Sequence, residues 1–295
     1  FSSRQVDGVK LQQWLGEDMN RDGLPDSGDA AWQLTRDDIR KAVSQSPNSA
    51  TGPDGIPFMA WRRLGPLAVD TLYDTLQALT TDDNPAGLAE FMKGDSFVEG
   101  FNSSLMVFLG KTPTLVDQAV GEVFDPGDTR PLNIVNSDNR ILANAVRLRI
   151  EPVFNEWVSS TQRGFLPGRS MLANVIDIDH AMMHDALMHH HAMAIFFDFK
   201  AAFPSVAHRF LLEALDSLQL PPWVRRFVTL LYRDNNCELV VGGAKHAGFA
   251  IHSGIRQGCP LSPLLFAVAA DVLLRRLRRL LPDAVLRAYA DDLAA

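Results

Sequence analysis

The sequence predicts an α+β fold, in which helices and one strand pair come first and strands mixed with helices follow. Two observations support this class. Apolar residues, which make up 46% of the 295 residues, recur at helical spacing over long stretches, and shorter apolar runs are bounded by Gly, Pro or Asp as strands are. The apolar content permits a large buried core, arranged as one big domain or two modest ones.

The N-terminal part is predicted to be mainly helical. Residues 1–34 are polar, rich in Gly and Asp, and predicted to be irregular or partly helical. Thr35 followed by Asp38 has the pattern of a capping box, which starts a helix. Gly and Pro residues make 49–57 a loop, and 82–100 is predicted to hold another loop and a short helix.

Periodicity and turn residues define the remaining elements. A Gly-rich turn is predicted over 161–169, and Gly242-Gly243 is predicted to close a hairpin. The predicted helices cover 35–46, 59–80, 137–159, 170–188, 206–218, 222–233 and 263–281. The predicted strands cover 104–109, 129–134, 192–199, 238–241 and 248–251, and a final strand carries Tyr289.

Composition restricts the functional class only in part. The net charge of −7 is unusual for a nucleic-acid-binding protein, but much of the acid lies near the N-terminus. Two cysteines without paired spacing and the lack of a signal peptide predict an intracellular location, with nucleus or cytoplasm left open. Interrupted apolar runs predict no membrane span. The chain stops three positions after Asp292 without an end signal, so we interpret it as a fragment.

Acidic residues follow two separate apolar runs. Asp198 ends the run 194–197, and the pair Asp291-Asp292 lies in the apolar stretch 284–295. Carboxylates in apolar surroundings are costly unless a cation binds them, and adjacent strands would bring these acids to one rim. Oxygen ligands of this kind suit Mg²⁺. The sequence therefore predicts a two-metal nucleotidyl-transfer site, although any single Asp is better explained as a turn residue or a cap.

The segment 254–263 has the composition of a ligand-binding loop. Gly258 permits close approach of the backbone to a ligand, Gln257 can donate and accept hydrogen bonds, and Arg256 supplies charge. Two prolines stiffen the entry to a helix whose N-terminus favours anions. Taken alone, the segment also fits an ordinary turn between a strand and a helix.

These segments together resemble a known family. Residues 197–203 (FDFKAAF), 256–263 (RQGCPLSP) and 289–292 (YADD) resemble the A, B and C motifs of reverse transcriptases, in the family's order. Residues 162–170 (QRGFLPGRS) resemble the Gln-x-Gly-Phe segment of the non-LTR (LINE-type) retrotransposon branch, and 52–57 (GPDGIP) resembles an upstream motif of that branch.

The resemblance implies the architecture of a right-hand polymerase, with an antiparallel palm sheet backed by helices. Residues 1–34 would form an N-terminal polar arm, 35–150 the fingers, and 151–295 the palm, with part of the fingers near 206–255. The palm would be truncated at its C-terminus, and the thumb would be missing. The implied activity is RNA-directed DNA synthesis, with an RNA template, a DNA primer, dNTP and two Mg²⁺ ions or Mn²⁺ in their place.

The resemblance also assigns roles to residues. The implied catalytic metal ligands are Asp198, Asp291 and Asp292. The implied nucleotide-binding residues are Lys111, Arg130, Phe203, Gln257 and Gly258. Lys111 and Arg130 would grip the triphosphate, and Phe203 would exclude the ribose 2′-hydroxyl. Pro204 departs from the family pattern, since many LINE-type sequences have Asp at this position.

Other readings of the sequence remain open. The chain could be an inactive, truncated retroelement remnant that at most binds nucleic acid, or an RNA polymerase with a similar palm, against which Phe203 argues. The pattern Asp18-x-Asn20-x-Asp22-Gly23 has the spacing of a calcium loop, and the histidines at 189–191 suggest zinc. The arginines of 275–279 fit either nucleic-acid phosphates or a solvated helix face. Protein partners and oligomeric state are not predicted.

Overall fold

The computed structural model describes residues 5–19, 23–81, 100–188 and 193–295. Within these ranges the helices are α1 Gly8–Asp18, α2 Gly28–Trp32, α3 Arg36–Gln45, α4 Phe58–Leu64, α5 Pro66–Thr80, α6 Ser137–Trp157, α7 Met171–Met188, α8 Ala202–Ser205, α9 His208–Ser217, α10 Pro222–Leu231 and α11 Ser262–Leu280. The strands are β1 Ser103–Gly110, β2 Leu115–Asp117, β3 Gly121–Val123, β4 Thr129–Val135, β5 Phe196–Phe197, β6 Asn236–Val241, β7 Ala244–Ala250, β8 Arg287–Tyr289 and β9 Asp292–Ala294. The α+β prediction is confirmed.

The larger sheet has four strands in the order β4-β1-β6-β7. β1 runs antiparallel to β4, with Met106 opposite Asn133, and parallel to β6 on its other side. Both Gly242 and Gly243 have positive φ angles, as a tight hairpin turn requires, so the predicted hairpin forms between β6 and β7. The predicted pairing of 104–109 with 129–134 is also confirmed.

A separate three-stranded sheet carries the acid pair. Its order is β5-β9-β8, and both pairings are antiparallel. Backbone hydrogen bonds between Ile195 and Ala295 extend the β5–β9 pairing by one residue, at 2.9 and 3.0 Å. β2 and β3 form their own two-stranded hairpin.

The main core is built around α6 and α11. Ile141, Leu142 and Val146 of α6 are fully buried, and α11 buries Leu264, Val268 and Val272 in the same cluster. α1 joins this core through Leu11 and Leu15, so the polar N-terminal region contains a helix with one apolar face inside the protein.

The C-terminal end of α11 is joined to α1 by ion pairs. Arg276 contacts Glu17 at 2.7 Å, and Arg279 contacts Glu17 at 2.6 Å and the buried Asp18 at 2.7 Å. Arg275 contacts Asp271 at 2.7 Å within α11. Arg275, Arg276 and Arg279 are therefore paired with carboxylates of the chain itself, which argues against the predicted alternative that 275–279 binds nucleic-acid phosphates. The carboxylate of Asp18 is likewise occupied by arginines, while 20–22 of the calcium-loop pattern lie outside the described residues.

Several predicted boundaries differ from the structure. The helix predicted over 59–80 is wrong at Gly65, where a positive φ of 57° and the following proline divide it into α4 and α5. The strand predicted over 192–199 is regular only at Phe196–Phe197. The helix predicted from 206 begins at His208, after the short α8. The predictions over 82–99 and the histidines 189–191 fall outside the described residues.

Other local predictions are confirmed. The capping box of α3 forms in both directions, because Asp38 N–H approaches Thr35 Oγ1 and Thr35 N–H donates to Asp38 Oδ2 at 2.8 Å. Ser170 Oγ accepts a hydrogen bond from Leu172 N–H at 3.2 Å at the start of α7.

No helix among the described residues combines the length and apolar character that a bilayer crossing requires.

The 52–57 loop is fixed to the N-terminus of α6. Asp54 N–H donates to Asn136 Oδ1 at 3.2 Å, and Ser137 Oγ donates to Ile56 O at 2.8 Å. A Cβ on Gly52 would lie 2.4 Å from the Asn136 backbone nitrogen, so only glycine fits there. This packing brings Asp54 near Asp138, and burial followed by the Asp54 charge raises the pKa of Asp138 to about 6.

Replacing Asp138 with Asn should change how stability depends on pH. The pKa of Asp138 is raised from its ordinary 3.8 to about 6, so folding favours the neutral acid. The stabilisation of the folded state by the neutral carboxyl is fully present below the ordinary pKa of 3.8 and is lost as pH rises through about 6. Asp138→Asn stays neutral, so its unfolding free energy relative to wild type should increase by about 2–3 kcal/mol between about pH 4 and about pH 7. Urea unfolding of both proteins measures this difference, and parallel curves would contradict the raised pKa.

Candidate active site

The acid pair is carried on the tight turn between β8 and β9. Tyr289 lies opposite Asp292, which leaves Ala290 and Asp291 as the two turn residues. Ala290 has a φ of 57°, in the left-handed region that non-glycine residues seldom occupy. Such a conformation persists when the surroundings enforce it, and it directs Asp291 at the tip of the turn.

The sheet register brings Asp198 to the same end of the sheet. Phe196 pairs with Ala294 and Phe197 with Leu293, so one further step places Asp198 opposite Asp292. Opposite residues of antiparallel strands have Cα atoms about 4.5–5.5 Å apart. Asp292 is next to Asp291 in the turn, so the backbone positions of the acids predicted from distant parts of the sequence lie at the same end of the sheet.

The acids are open to solvent. Asp198 and Asp292 are exposed, and Asp291 is half-buried. Among the described residues, no three or more His, Cys, Asp and Glu side chains are grouped so that they could together hold a metal ion. Mg²⁺ is commonly held by one or two carboxylates together with phosphate oxygens and water, so this open pair of strand ends fits that ion.

A buried amide, Gln162, holds the turn in place. Gln162 is 0% exposed, its Nε2 donates to Ala290 O at 3.0 Å, and its Oε1 accepts from Ala290 N–H at 2.9 Å. The same Oε1 accepts from Gly164 N–H at 2.8 Å. Both backbone groups of the left-handed residue are thus satisfied by one side chain. Sequence reasoning noted Gln162 only as part of a motif, since nothing in the sequence shows which backbone an amide will contact.

The segment that carries Gln162 is tied to the sheet on both sides. Arg163 N–H donates to Ala288 O at 2.8 Å, and Ala288 N–H donates to Thr161 O at 2.9 Å. A Cβ on Gly164 would lie 2.1 Å from Ala290 N, so the close approach of the two backbones requires glycine. Residues 161–164 therefore pair with β8 through their backbone and lie against its turn.

Charged side chains reinforce this contact from outside. Asp177 of α7 accepts from Arg287 of β8 and from Arg163, each at 2.7 Å. Hydrogen bonds from Arg287 and then Arg163 lower the pKa of the Asp177 carboxyl. Arg169 donates to the carbonyls of Ser159 and Gln162, both at 2.6 Å, and so fixes the start of the same segment.

Phe203, the gate residue predicted to exclude the ribose 2′-hydroxyl, lies in α8, the helix that follows β5 and Asp198. Its ring stacks on Phe266 of α11, with centroids 4.3 Å apart and planes 5° from parallel. Its carbonyl accepts a hydrogen bond from Ile255 N–H at 2.8 Å. Phe203 is therefore fixed between the segment carrying Asp198 and the segment preceding α11.

Gln257 and Gly258 lie against strand β4 of the larger sheet. Asn133 N–H donates to Gln257 O at 3.0 Å. Gly258 has a φ of 105°, and a Cβ there would lie 2.8 Å from Asn133 O. The glycine is thus required by the backbone of β4 as well as by its own conformation. Gln257 is half-buried and Gly258 is exposed, so this segment also has an accessible side.

Lys111 and Arg130 are at the far end of the larger sheet. Leu109 pairs with Arg130, and Lys111 N–H donates to Asp128 O at 2.9 Å, which continues the pairing one residue past β1 and puts Lys111 on the same face as Leu109. Both cations are exposed and share one face of the β1–β4 pair. The structure does not place them on the three-stranded sheet with the acids; β4 is the element that links Arg130 to the Gln257 segment.

Arg256 has a role that the sequence did not indicate. Arg256 is 6% exposed, and its guanidinium donates to Leu231 O at 2.7 Å, to Asn102 Oδ1 at 3.1 Å and to Asn235 Oδ1. Burial lowers the pKa of Arg256. The side chain joins α10, β6 and the start of β1 from inside the protein, so it is not available to supply charge to a ligand.

Comparison with known proteins agrees with this geometry. Residues 117–295 match the family described as reverse transcriptase (RNA-dependent DNA polymerase), and the chain belongs to that family. It is 29% identical over 267 residues to the transposon TX1 uncharacterized 149 kDa protein of Xenopus laevis, covering 81% of this chain and 20% of that protein.

Two further relatives come from insects. The chain is 29% identical over 251 residues to the retrovirus-related Pol polyprotein from type-1 retrotransposable element R2 of Nasonia vitripennis, covering 83% of this chain and 22% of that protein. It is 30% identical over 155 residues to the Pol polyprotein from type-2 retrotransposable element R2DM of Drosophila melanogaster, covering 52% and 14% respectively. The chain spans about a fifth of the length of the first two relatives. The predicted reverse transcriptase domain of the non-LTR retrotransposon type is confirmed.

Removing the Gln162 amide should loosen the turn. Gln162→Leu keeps a side chain of similar size but leaves the Ala290 N–H and C=O without partners, at about 1–3 kcal/mol for each group. We expect a loss of about 2–4 kcal/mol in unfolding free energy and faster hydrogen exchange at the Ala290 and Gly164 amides.

Gln45→Leu, at the exposed end of α3, is the matched control and should leave both measurements near wild type. Exchange at Ala290 that stays at the wild-type rate in Gln162→Leu would show that the amide does not hold the turn.

Proposed function

We propose that this chain carries the nucleotide-addition site of an RNA-directed DNA polymerase. In the proposed reaction, a DNA primer 3′-hydroxyl attacks the α-phosphate of a dNTP selected by an RNA template, inside the cell. The observation that supports this most directly is the register of the three-stranded sheet. It brings Asp198 opposite Asp292, beside Asp291, although the sequence separates the two segments widely.

The carboxylates supply what two divalent ions need. Asp198, Asp291 and Asp292 would hold Mg²⁺, with Mn²⁺ able to take its place, and all offer oxygen ligands at an open rim. When bound, such ions lower the pKa of an attacking hydroxyl and stabilise the charge on a leaving pyrophosphate. The contribution of the chain is to fix the oxygen atoms rigidly, which the Gln162 contacts to Ala290 support.

The remaining predicted residues would surround the nucleotide. Lys111 and Arg130 share a face of the larger sheet and would pair with triphosphate oxygens. Gln257 and Gly258 would line the base and sugar side, where β4 meets the start of α11. Phe203 would contact the sugar and exclude a 2′-hydroxyl, with its ring backed on one face by Phe266.

The same contacts support the proposed architecture. The four-stranded sheet with α3 to α6 would correspond to the fingers, and the three-stranded antiparallel sheet with α7 and α11 to the palm. The hairpin of β6 and β7 joins the four-stranded sheet, which supports assigning part of 206–255 to the fingers.

Neutralising one acid of the turn tests the proposed reaction. Asp291→Asn removes a metal-binding charge with little change in shape, and we expect primer extension on an RNA template to fall by at least about 1,000-fold. The assay uses the protein that contains residues 1–295. Asp283→Asn is the matched control, since Asp283 is exposed in the loop before β8, and it should extend the primer at a rate within about 2-fold of wild type. Comparable extension by Asp291→Asn would eliminate the assignment.

Shortening the Phe203 side chain tests whether this residue selects dNTP over NTP. Phe203→Ala opens the space beside the sugar, so incorporation of NTP relative to dNTP should rise by at least about 10-fold. The ratio is measured from kcat/KM for the two nucleotides on one primer and template. In an RNA polymerase the ratio would be insensitive to this change, and that result would favour the competing assignment.

A further inference from the structure

The gate ring Phe203 is supported by more than its stacking partner. Phe165 packs against it with centroids 5.7 Å apart and the planes at 89°. Phe165 also contacts Phe266 at 6.3 Å, again at 89°. One ring therefore stands perpendicular to both members of the stacked pair, in the edge-to-face arrangement that aromatic rings favour.

The position of Phe165 is enforced by its backbone. Its φ is 64°, which is unfavourable for a bulky side chain and persists only where neighbouring contacts impose it. The neighbouring contacts are those of Gly164, which lies against Ala290, and of Gln162, which forms hydrogen bonds with both backbone groups of Ala290. The strain thus points the Phe165 ring towards Phe203 from a segment that is anchored on the acid turn.

The three aromatic rings differ in how deeply they are buried. Phe266 is 5% exposed and belongs to the main core, whereas Phe165 is 39% exposed. Much of the Phe165 ring therefore contributes nothing to the core, and an exposed aromatic ring in a strained conformation suggests a purpose other than stability.

A steric gate discriminates only if it cannot move. The 2′-hydroxyl differs from hydrogen by one oxygen atom, so a shift of about 1 Å in the Phe203 ring would be enough to admit it. Phe266 blocks movement across one face of Phe203, and Phe165 blocks movement past the edge of the stack. The Phe203 ring is therefore restricted from two directions.

We propose that Phe165 is a positioning residue that sets sugar specificity by holding Phe203 in place. The proposal rests on the proposed polymerase function and deepens it. Phe165 acts through Phe203 and not by touching the nucleotide, and its placement beside Gln162 couples the gate to the turn that carries Asp291.

The experiment compares sugar selection in five proteins: wild type, Phe165→Ala, Phe165→Tyr, Phe203→Ala and Phe165→Ala combined with Phe203→Ala. Phe165→Ala should increase NTP incorporation relative to dNTP by about 5-fold, which corresponds to about 1 kcal/mol. The kcat/KM for dNTP should stay within about 2-fold of wild type, because the metal-binding turn is unchanged. Phe165→Tyr retains the ring and should restore wild-type selection.

The double variant tests whether Phe165 acts through Phe203. If it does, the double variant should select sugars no worse than Phe203→Ala alone. Additive effects of the two changes would overturn the proposal, since Phe165 would then contact the nucleotide independently. A selection ratio in Phe165→Ala equal to that of wild type would also overturn it.

Phe249→Ala is the matched control, because Phe249 is 40% exposed on β7 and outside this cluster. It should leave sugar selection unchanged. Binding of dNTP and NTP to a complex with a dideoxy-terminated primer provides a readout without turnover, and the ratio of the two affinities should shift in the same direction. Failure of the wild-type protein to extend a primer would count against the polymerase function itself, whereas normal extension with unaltered selection in Phe165→Ala would count only against the role of Phe165.

Discussion

The contact of Gln162 with both backbone groups of Ala290 is the constraint on which the candidate site depends. A left-handed alanine in a two-residue turn is unfavourable by itself, and the buried amide offsets that cost by pairing its N–H and C=O. Because β9 starts directly after the turn, the geometry of Ala290 also sets the direction of Asp291 and the register that places Asp292 opposite Asp198. The Gln162 side chain thus joins its own segment to the distant turn that carries Asp291.

A second buried polar group joins the larger sheet to the helical core. Arg256 reaches carbonyl oxygens from the start of β1, the end of α10 and the residue before β6, and Asn139 of α6 donates to Phe101 O at 2.9 Å within the same cluster. A buried guanidinium without a carboxylate is stabilised only if its donors are satisfied, so this cluster requires all of its members. It lies directly before Gln257 and Gly258, which are thereby set against β4. One short segment therefore holds both Arg256, which packs in the core, and Gln257 and Gly258, which are proposed to bind the nucleotide.

The sequence predicted local structure well wherever a local rule decided it. The capping box at Thr35 and the hairpin at Gly242-Gly243 depend on contacts between near neighbours, and both are present. Prediction failed at Gly65, where a glycine and a proline interrupt an otherwise continuous helical pattern, because apolar periodicity continues across the break. It also failed to show that α1 packs on α11, since the ion pairs of Glu17 and Asp18 with Arg276 and Arg279 join residues from opposite ends of the chain.

By itself, the sequence determined the class of protein and predicted the acidic residues and the nucleotide-facing candidates, because carboxylates after apolar runs and the order of the motifs can be read along the chain. Only the tertiary structure decided which residues support them. Gln162, Phe165 and Arg256 are an amide, an aromatic ring and a guanidinium whose partners are between 21 and 154 positions away in sequence, apart from the neighbouring Gly164. The chemistry of a side chain shows what it can bind, but packing decides which backbone or ring comes within reach.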